Sequence, residues 1–206
     1  MLDVEPGSLA TLSEQCRRPD AELTMPPLRA VLASVTQEGW ANEASPLAPT
    51  RATLHYGQCL GSGGLVAADP GVAGYWVART VATTELGSVQ VPAVRDASGF
   101  APACVLVARL RCPWRPALAV VDGPPSTAVH AVLEAADRLG VSVPVEAWDS
   151  SGVALGPASH LERVRRLAVA ERPAPMSVAT DPAQLGRMVD AAGPVVAWGG
   201  IRNAPT

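Results

Sequence analysis

Lysine is absent from this chain of 206 residues, and phenylalanine occurs only once. All 16 basic residues are therefore arginine, and they are spread along the chain rather than clustered. Together with abundant alanine, valine, proline and glycine, this composition is typical of a protein from a high-GC bacterium. The formal net charge is −3, so the sequence lacks the basic surface that nucleic-acid binding requires. We expect no nucleic-acid partner.

Long apolar segments are also missing. No run approaches the roughly 20 residues that a membrane-spanning helix needs, and the acidic, proline-interrupted N-terminus does not match a signal peptide. We therefore expect a cytoplasmic protein with no membrane partner. Hydrophobic residues make up 48% of the chain, which is enough to build a packed core. We predict a polar N-terminal extension over residues 1–24 and a single domain over residues 25–206.

The sequence has no obvious metal or cofactor motif. Its four cysteines, Cys16, Cys59, Cys104 and Cys112, form no Cys-x-x-Cys pair, so a zinc site is not expected. The glycine-rich turn at residues 61–64 lacks the Lys-Ser/Thr step of a P-loop, which leaves a flexible turn as the better interpretation. We predict reduced thiols, no metal and no cofactor.

The order of apolar and polar segments predicts an α/β fold. The predicted helices cover residues 8–18, 28–38, 99–111, 126–139, 159–170 and 180–193. The predicted strands cover residues 53–58, 65–68, 75–82, 88–94, 116–121, 141–148, 176–179 and 195–198. Alternation of this kind gives a mixed, largely parallel sheet flanked by helices, with right-handed crossovers.

Two acidic residues directly follow predicted strands, where parallel sheets bind their ligands. They are Asp122 and Asp149, and a later glycine, Gly199, has the same position after the last strand. One hypothesis is therefore a small α/β transferase or hydrolase with its site near Asp122 and Asp149. Convergence of these residues on one cleft beside a histidine would favour it.

The histidines give no catalytic pattern on their own. His55 and Cys59 are four residues apart, and on the predicted strand that spacing is too long for a direct hydrogen bond. A core cysteine and a strand-end histidine are the simpler interpretation. His130 is expected inside a packed or edge helix, and His160 in the exposed first turn of a helix. A serine–histidine–aspartate triad cannot be assigned.

The segment from about Met25 to Gly123 resembles the N-terminal half of the thiolase-like ketosynthases, especially the 3-oxoacyl-acyl-carrier-protein synthase III group. The features that match are a helix (28–38), a strand (53–59), a segment over the active-site entrance (74–78), the turn Asp96-Ala-Ser-Gly-Phe-Ala101 and a buried strand (115–123). The resemblance implies a thiolase-like fold, here truncated. In that family the turn places a cysteine at a helix N-terminus, where its pKa is lowered and it accepts an acyl group.

The family's nucleophile is missing at the aligned position, which here is Ala101. A shift in register would instead align Cys104, so Cys104 and Cys59 stay as candidate catalytic thiols. The family's Gly-Asp-Gly-Ala-type loop and its later histidine and asparagine motifs are also absent. Across the two hypotheses, the candidate substrate-binding residues are Asp96, Ser98, Ala101, Asp122 and Asp149.

The resemblance leads to our first hypothesis, a catalytically degenerate ketosynthase-like protein. It would bind an acyl chain or an acyl-carrier protein in fatty-acid or polyketide-type specialised metabolism. It would alternatively form a homodimer, or a heterodimer with an active homologue, through residues 88–94 and 99–111. A cleft at Ala101 lined by valine and leucine would favour acyl binding. A third hypothesis is a structural interaction module whose exposed anchors are Tyr75, Trp76, Trp114 and Trp148.

Overall fold

A computed structural model describes residues 27–83 and 85–193, and this part of the chain contains seven helices and five strands. The helices are α1 (Pro27–Trp40), α2 (Pro49–Leu60), α3 (Val72–Thr80), α4 (Phe100–Arg111), α5 (Thr127–Arg138), α6 (Pro157–Val169) and α7 (Ala183–Ala192). The strands are β1 (Leu65–Ala68), β2 (Val89–Gln90), β3 (Ala117–Asp122), β4 (Val145–Ala154) and β5 (Met176–Ala179). The predicted extension (1–24), first helix (8–18) and last strand (195–198) lie outside the described residues.

The five strands form one sheet in the order β2-β1-β3-β4-β5, and every neighbouring pair is parallel. In register, Val66 of β1 lies between Val89 of β2 and Leu118 of β3. The predicted α/β class is confirmed, and the described sheet is parallel throughout rather than mixed. The chain turns back between β1 and β3, so the point where the strand order reverses lies between the ends of these two strands.

The two faces of the sheet carry different cores. The first face consists of alternate side chains of β1, β3 and β4: Val66, Ala68, Leu118, Val120 and Trp148. Residues of α1, α2, α3, α6 and α7 pack with it. The second face carries the intervening side chains: Leu65, Ala67, Ala117, Ala119, Val121, Val145 and Ala147. Only α4 and α5 among the described helices contribute to that core. Alanines on the second face allow these helices to approach the sheet closely.

The last connection of the sheet departs from the expected handedness. Helix α5 connects β3 to β4, and helix α6 connects β4 to β5. Both connections move in the same direction across the sheet. However, α5 packs on the second face and α6 on the first, against α2. The two connections therefore have opposite hands, so the prediction of uniformly right-handed crossovers is wrong. This exchange of faces is what brings α6 next to α2.

Two predicted strands are helices in the structure. Residues 53–58 belong to α2 and residues 75–82 overlap α3. In α2 the buried positions include Pro49, Ala52, Thr53, Tyr56 and Leu60, which have helical spacing, and a proline stands at the helix start. The β propensity of threonine, valine and aromatic residues misled the prediction, because packing on the sheet outweighs local propensity.

Other boundaries also differ. Only Val89–Gln90 of the predicted strand 88–94 pairs with β1, and Pro92 has no backbone N–H to continue the ladder. Strand β4 begins at Val145 and reaches Ala154, with a shift in register between Trp148 and Val153. Gly156, rather than Ser159, precedes α6. Among residues 27–83 and 85–193, no helix combines the length and apolar character needed to cross a bilayer.

Candidate functional site

The point where the strand order reverses opens into a cleft of about 390 Å³, which we call the strand-end cleft. Its lining residues are Asp69, Pro70, Arg95, Asp96, Ser98 and Asp122. Three predicted site residues, Asp96, Ser98 and Asp122, are therefore brought together here. Asp69 was missed by the sequence analysis, although it directly follows the correctly predicted strand at residues 65–68. Asp122 was selected because it directly follows a predicted strand, and the same criterion would have selected Asp69.

Two carboxylates of the cleft occupy the N-termini of two helices. Asp69 accepts hydrogen bonds from the backbone N–H groups of Gly99 (2.8 Å) and Ala101 (2.7 Å), at the start of α4. Asp122 accepts one from the N–H of Ala73 (3.1 Å), at the start of α3. Free helix N-termini attract anions through these same N–H groups. Here the protein's own carboxylates fill both positions.

Gly71 shows how closely Asp122 approaches the start of α3. Its φ is +121°, and a Cβ atom at this position would stand 2.3 Å from Asp122 Oδ2. A side chain at residue 71 would therefore both strain the backbone and displace the carboxylate. This glycine is a structural requirement of the Asp122 cap.

The two capping carboxyls also have perturbed acidities. Burial raises the pKa of Asp69, and the hydrogen bonds from Ala101 and Gly99 partly offset this effect. Burial likewise raises the pKa of Asp122, and the nearby charge of Asp69 adds to the rise. Carboxyls of this kind can transfer protons. None of the three histidines lines the strand-end cleft, however.

The structure places Ala101 in the core rather than at a binding surface. Its side chain is fully buried in the second-face core, and its N–H is used by Asp69. Cys104 lies further along α4, partly buried against the same core, and burial raises the pKa of its thiol. Neither residue lines the strand-end cleft. The expected valine- and leucine-lined cleft at Ala101 is not found among the described pockets.

Asp149 does not share the strand-end cleft with Asp122. It lies at the irregular part of β4 and accepts hydrogen bonds from Ser151 N (3.0 Å) and Ser151 Oγ (2.8 Å). These bonds lower the pKa of Asp149. Asp149 does not line the strand-end cleft. The convergence of Asp122 and Asp149 expected for a strand-end enzyme is therefore not observed, and Gly199 lies outside the described residues.

A second polar cluster, which we call the Glu146 network, is buried between β4, α2 and α6. Its members are His55, Tyr56, Glu146, Trp148 and His160, none more than 5% exposed. Glu146 accepts hydrogen bonds from Tyr56 OH (2.5 Å) and Trp148 Nε1 (3.0 Å). Its two carboxylate oxygens lie 3.1 and 3.2 Å from His160 Nε2. The other nitrogen of the His160 ring contacts His55, with 2.8 Å between the two Nδ1 atoms.

Each member of the network makes at least one hydrogen bond within it. Because the two Nδ1 atoms can share only one proton, one histidine must donate and the other accept. Burial and, to a smaller extent, the neighbouring His160 lower the pKa of His55 to about 4, so His55 is neutral near pH 7. We assign the network a structural role, because its hydrogen bonds join α2 and α6 to β4.

Sequence analysis missed the Glu146 network for identifiable reasons. His55 was assigned to a strand, and His160 was expected to be exposed. The detectable signal was Glu146 itself, a lone carboxylate inside an apolar stretch predicted as a buried strand. Cys59 lies on α2 one turn after His55, so the strand geometry used for this pair was wrong. Its thiol is partly buried, with a raised pKa, and Sγ lies 3.9 Å from Leu161 O.

An apolar surface on the opposite side of the molecule is not covered by described residues. It runs along α4 and the following turn through Val107, Leu110 and Trp114, which are 65%, 51% and 82% exposed. Arg115 Nη2 donates to Gly87 O (3.4 Å), which links this turn to the segment before β2, where Leu86 is fully exposed. We call Leu86, Val107, Leu110 and Trp114 the α4–β2 surface. It borders the open edge of the sheet, because β2 is an outer strand.

The predicted aromatic anchors divide between core and surface. Tyr75 and Trp76 are fully buried and Trp148 belongs to the Glu146 network, so these three are not surface anchors. Trp114 is the exposed member. Within residues 27–83 and 85–193, no group of three or more histidine, cysteine, aspartate or glutamate side chains is arranged to hold a metal ion.

Comparison with known proteins adds no relative to these observations. No family model matches the chain, and no curated protein matches it. The function is therefore inferred from the residues and their arrangement alone.

Proposed function

We propose that this protein is a catalytically degenerate ketosynthase-like subunit of fatty-acid or polyketide-type specialised metabolism, and that it acts by pairing with a second ketosynthase-like chain. The observation that carries this proposal is the α4–β2 surface. It exposes Val107 and Leu110 on the very helix whose start resembles the family's nucleophile turn, and Trp114 in the turn that follows this helix.

The start of α4 supports the non-catalytic part of the proposal. A nucleophile here would need a side chain that is accessible and N–H groups that are free to stabilise negative charge. Ala101 supplies neither property, because it is buried and its N–H is bonded to Asp69. Cys104 faces the core, and burial raises the pKa of its thiol, which disfavours the reactive thiolate.

The chemistry of the α4–β2 surface supports the pairing part. Large exposed apolar groups that lie together are typical of protein interfaces, and tryptophan is a frequent anchor. The neighbouring edge of β2 offers unpaired backbone groups to another strand. The partner we propose is a second copy of this chain or an active homologue, because either would present a matching helix and sheet edge.

The test uses charge placed on two exposed valines. Val107→Arg changes the α4–β2 surface, whereas Val169→Arg changes a valine that is 81% exposed at the end of α6. The mass of each variant would be measured by light scattering after gel filtration, alone and mixed with a purified active ketosynthase. We expect native protein and Val169→Arg to form the dimer and Val107→Arg to lose it. A native protein that stays monomeric in both conditions would contradict the proposal.

A strand-end enzyme is the second candidate, and one observation favours it. Asp69 and Asp122 share a cleft, and the pKa of each is raised. In this interpretation Asp69 or Asp122 would transfer a proton to a ligand held near Arg95. The capping bonds of both carboxylates, the absence of histidine from the cleft and the separate position of Asp149 favour the non-catalytic proposal instead.

A further inference from the structure

A pocket of about 540 Å³ lies at the amino ends of β3, β4 and β5. It is formed by the end of α4, the end of α5 with the segment before β4, and the segment after α6. We call it the Arg109 pocket. Leu110 lines this pocket and also belongs to the α4–β2 surface, so the two features are continuous.

Trp114 stands beside the Arg109 pocket without entering it. Its neighbour Pro113 lines the pocket, whereas Trp114 does not and is 82% exposed. A tryptophan side chain buries about 150–250 Å² when it is covered, and exposed tryptophans are frequent interface anchors. An exposed indole ring and an open pocket therefore lie side by side on one surface.

The lining of the Arg109 pocket matches the chemistry of an indole ring. Leu110, Pro113 and Val141 form apolar walls that would cover the carbon atoms of the ring. The carboxylates of Asp137 and Glu171 belong to the same lining, and a carboxylate oxygen accepts a hydrogen bond from an indole N–H. The volume of the pocket exceeds that of a tryptophan side chain.

Arg109 adds a cation that has no acidic partner. Among the described residues its guanidinium forms no ion pair, and its hydrogen bond to Ala168 O is long (3.4 Å). Burial lowers the pKa of Arg109, and no charge of the described residues offsets this effect. The face of an indole ring attracts a guanidinium, more strongly where water is excluded. A tryptophan in the pocket would therefore stabilise the charge of Arg109.

A second copy of the chain presents this tryptophan in the required position. Trp114 and the pocket are neighbours, so a two-fold axis that lies in the plane of contact and passes between them places each Trp114 against the partner's pocket. A single rotation then fills both pockets. A chain of different sequence would have to carry both features to make the same exchange.

We propose that this chain forms a two-fold symmetric homodimer in which Trp114 of each protomer inserts into the Arg109 pocket of its partner. The inference rests on the proposed function for pairing through the α4–β2 surface. It adds the partner, which is a second copy of this chain, and the contact that selects this partner.

The first test removes the inserted ring. Sedimentation equilibrium would give the dimer dissociation constants of Trp114→Ala and of Val94→Ala, which truncates a 61% exposed side chain next to the strand-end cleft. Each dimer of Trp114→Ala lacks two anchors, so its dissociation constant should rise at least about 100-fold. Val94→Ala should match the native protein. Native-like dimerisation of Trp114→Ala would overturn the insertion.

Arg109→Met and Arg111→Met test the cation. Arg111 is exposed at the same end of α4 but does not line the pocket. Loss of two cation–π contacts should raise the dimer dissociation constant of Arg109→Met about five- to thirtyfold and leave that of Arg111→Met unchanged. Equal dissociation constants of the two variants would overturn the role of Arg109.

Asp137→Trp allows a complementation test that a folding defect cannot imitate. A ring at residue 137 covers the pocket from its own wall, whereas Arg138→Trp puts the same ring on an exposed neighbour that does not line the pocket. We expect Asp137→Trp to be monomeric and Arg138→Trp to dimerise.

A mixture of Trp114→Ala and Asp137→Trp should regain one of the two contacts. The first variant has an open pocket, and the second has an intact Trp114. Native mass spectrometry should detect the heterodimer at concentrations where each variant alone is monomeric. A mixture that stays monomeric would overturn the exchange.

Failure of this inference differs from failure of the proposed function. If Val107→Arg loses the dimer and Trp114→Ala keeps it, the insertion is refuted and the pairing stands. If the native protein pairs with an active ketosynthase but not with itself, the homodimer is refuted and the proposed function stands. The proposed function fails only when the native protein stays monomeric in both conditions.

Discussion

The two faces of the sheet differ in how completely helices cover them. On the first face, five helices enclose a core that includes the hydrogen-bonded Glu146 network. On the second, two helices cover an alanine-rich core, and Val107 and Leu110 of α4 and Trp114 of the following turn are exposed. The Glu146 network is hydrogen-bonded within the first face, although the buried Nε1 of Trp76 there has no hydrogen-bond partner among the described residues. On the second face, α4 and the turn after it leave large apolar side chains exposed. The described helices therefore cover the first face more completely than the second.

The largest expected effect is the loss of Glu146 from the first face. Glu146→Ala would leave Tyr56 OH, Trp148 Nε1 and His160 Nε2 without their shared acceptor. Removal of one partner from a buried ionic network costs about 3–5 kcal/mol of unfolding free energy. Urea denaturation would measure this cost. Glu162→Gln serves as the control, because the Glu162–Arg166 pair is exposed and its loss should cost less than about 1 kcal/mol.

The second expected effect is a loss of stability in acid that originates in the first face. The pKa of His55 falls from an ordinary value of 6.5 to about 4 on folding, chiefly because of burial. The folded state therefore binds fewer protons than the unfolded state between these values, so stability is full above pH 6.5 and decreases as the pH falls toward 4. Arg51 and Arg165 act in the same direction as burial, and Glu146 opposes it.

This pH dependence can be measured as the urea midpoint of unfolding at a series of pH values. His55→Gln should flatten the decrease between pH 6.5 and 4, because the titrating group is gone. A urea midpoint of the native protein that stays constant or rises as the pH falls from 6.5 to 4 would contradict the neutral state of His55.

The smallest expected effect concerns acylation at the second face, where we predict no reaction. Intact-mass spectrometry after incubation with acyl-CoA and acyl-carrier thioesters should show no stoichiometric adduct on the native protein. Ala101→Cys should also stay unmodified, because residue 101 is buried and its N–H is held by Asp69. Cys59→Ala and Cys104→Ala are the matched variants. An adduct that disappears in either one would identify a nucleophile and refute the non-catalytic proposal.

The elements that sequence analysis predicted well have strong local signals. Helices α4 and α5 and strands β3 and β5 were found within one or two residues, since apolar periodicity, a serine cap and glycine or proline boundaries mark them. Helices α2 and α3 were mistaken for strands because their threonine, valine and aromatic residues favour β structure locally. Their helical state depends on packing against the first face, which no local pattern reports.

The candidate sites were predicted to different degrees. Asp96, Ser98 and Asp122 were selected from the sequence, and they do share the strand-end cleft. Asp149 was also selected because it follows a predicted strand, but it accepts a hydrogen bond from Ser151 in its own turn. The Arg109 pocket was beyond sequence reasoning, because its walls come from segments that are far apart in the chain.

By itself the sequence determined the α/β class, the absence of lysine, the apolar strands and the acidic residues that follow them, because each depends on residues close together in the chain. Only the tertiary structure decided which of those residues meet. His55 and His160 are in contact because α6 returns on the first face, and Asp69 caps α4 because β1 lies beside β3. Such contacts follow from strand order and from the face that each connection takes, and these are set by the packing of the whole core rather than by any local segment.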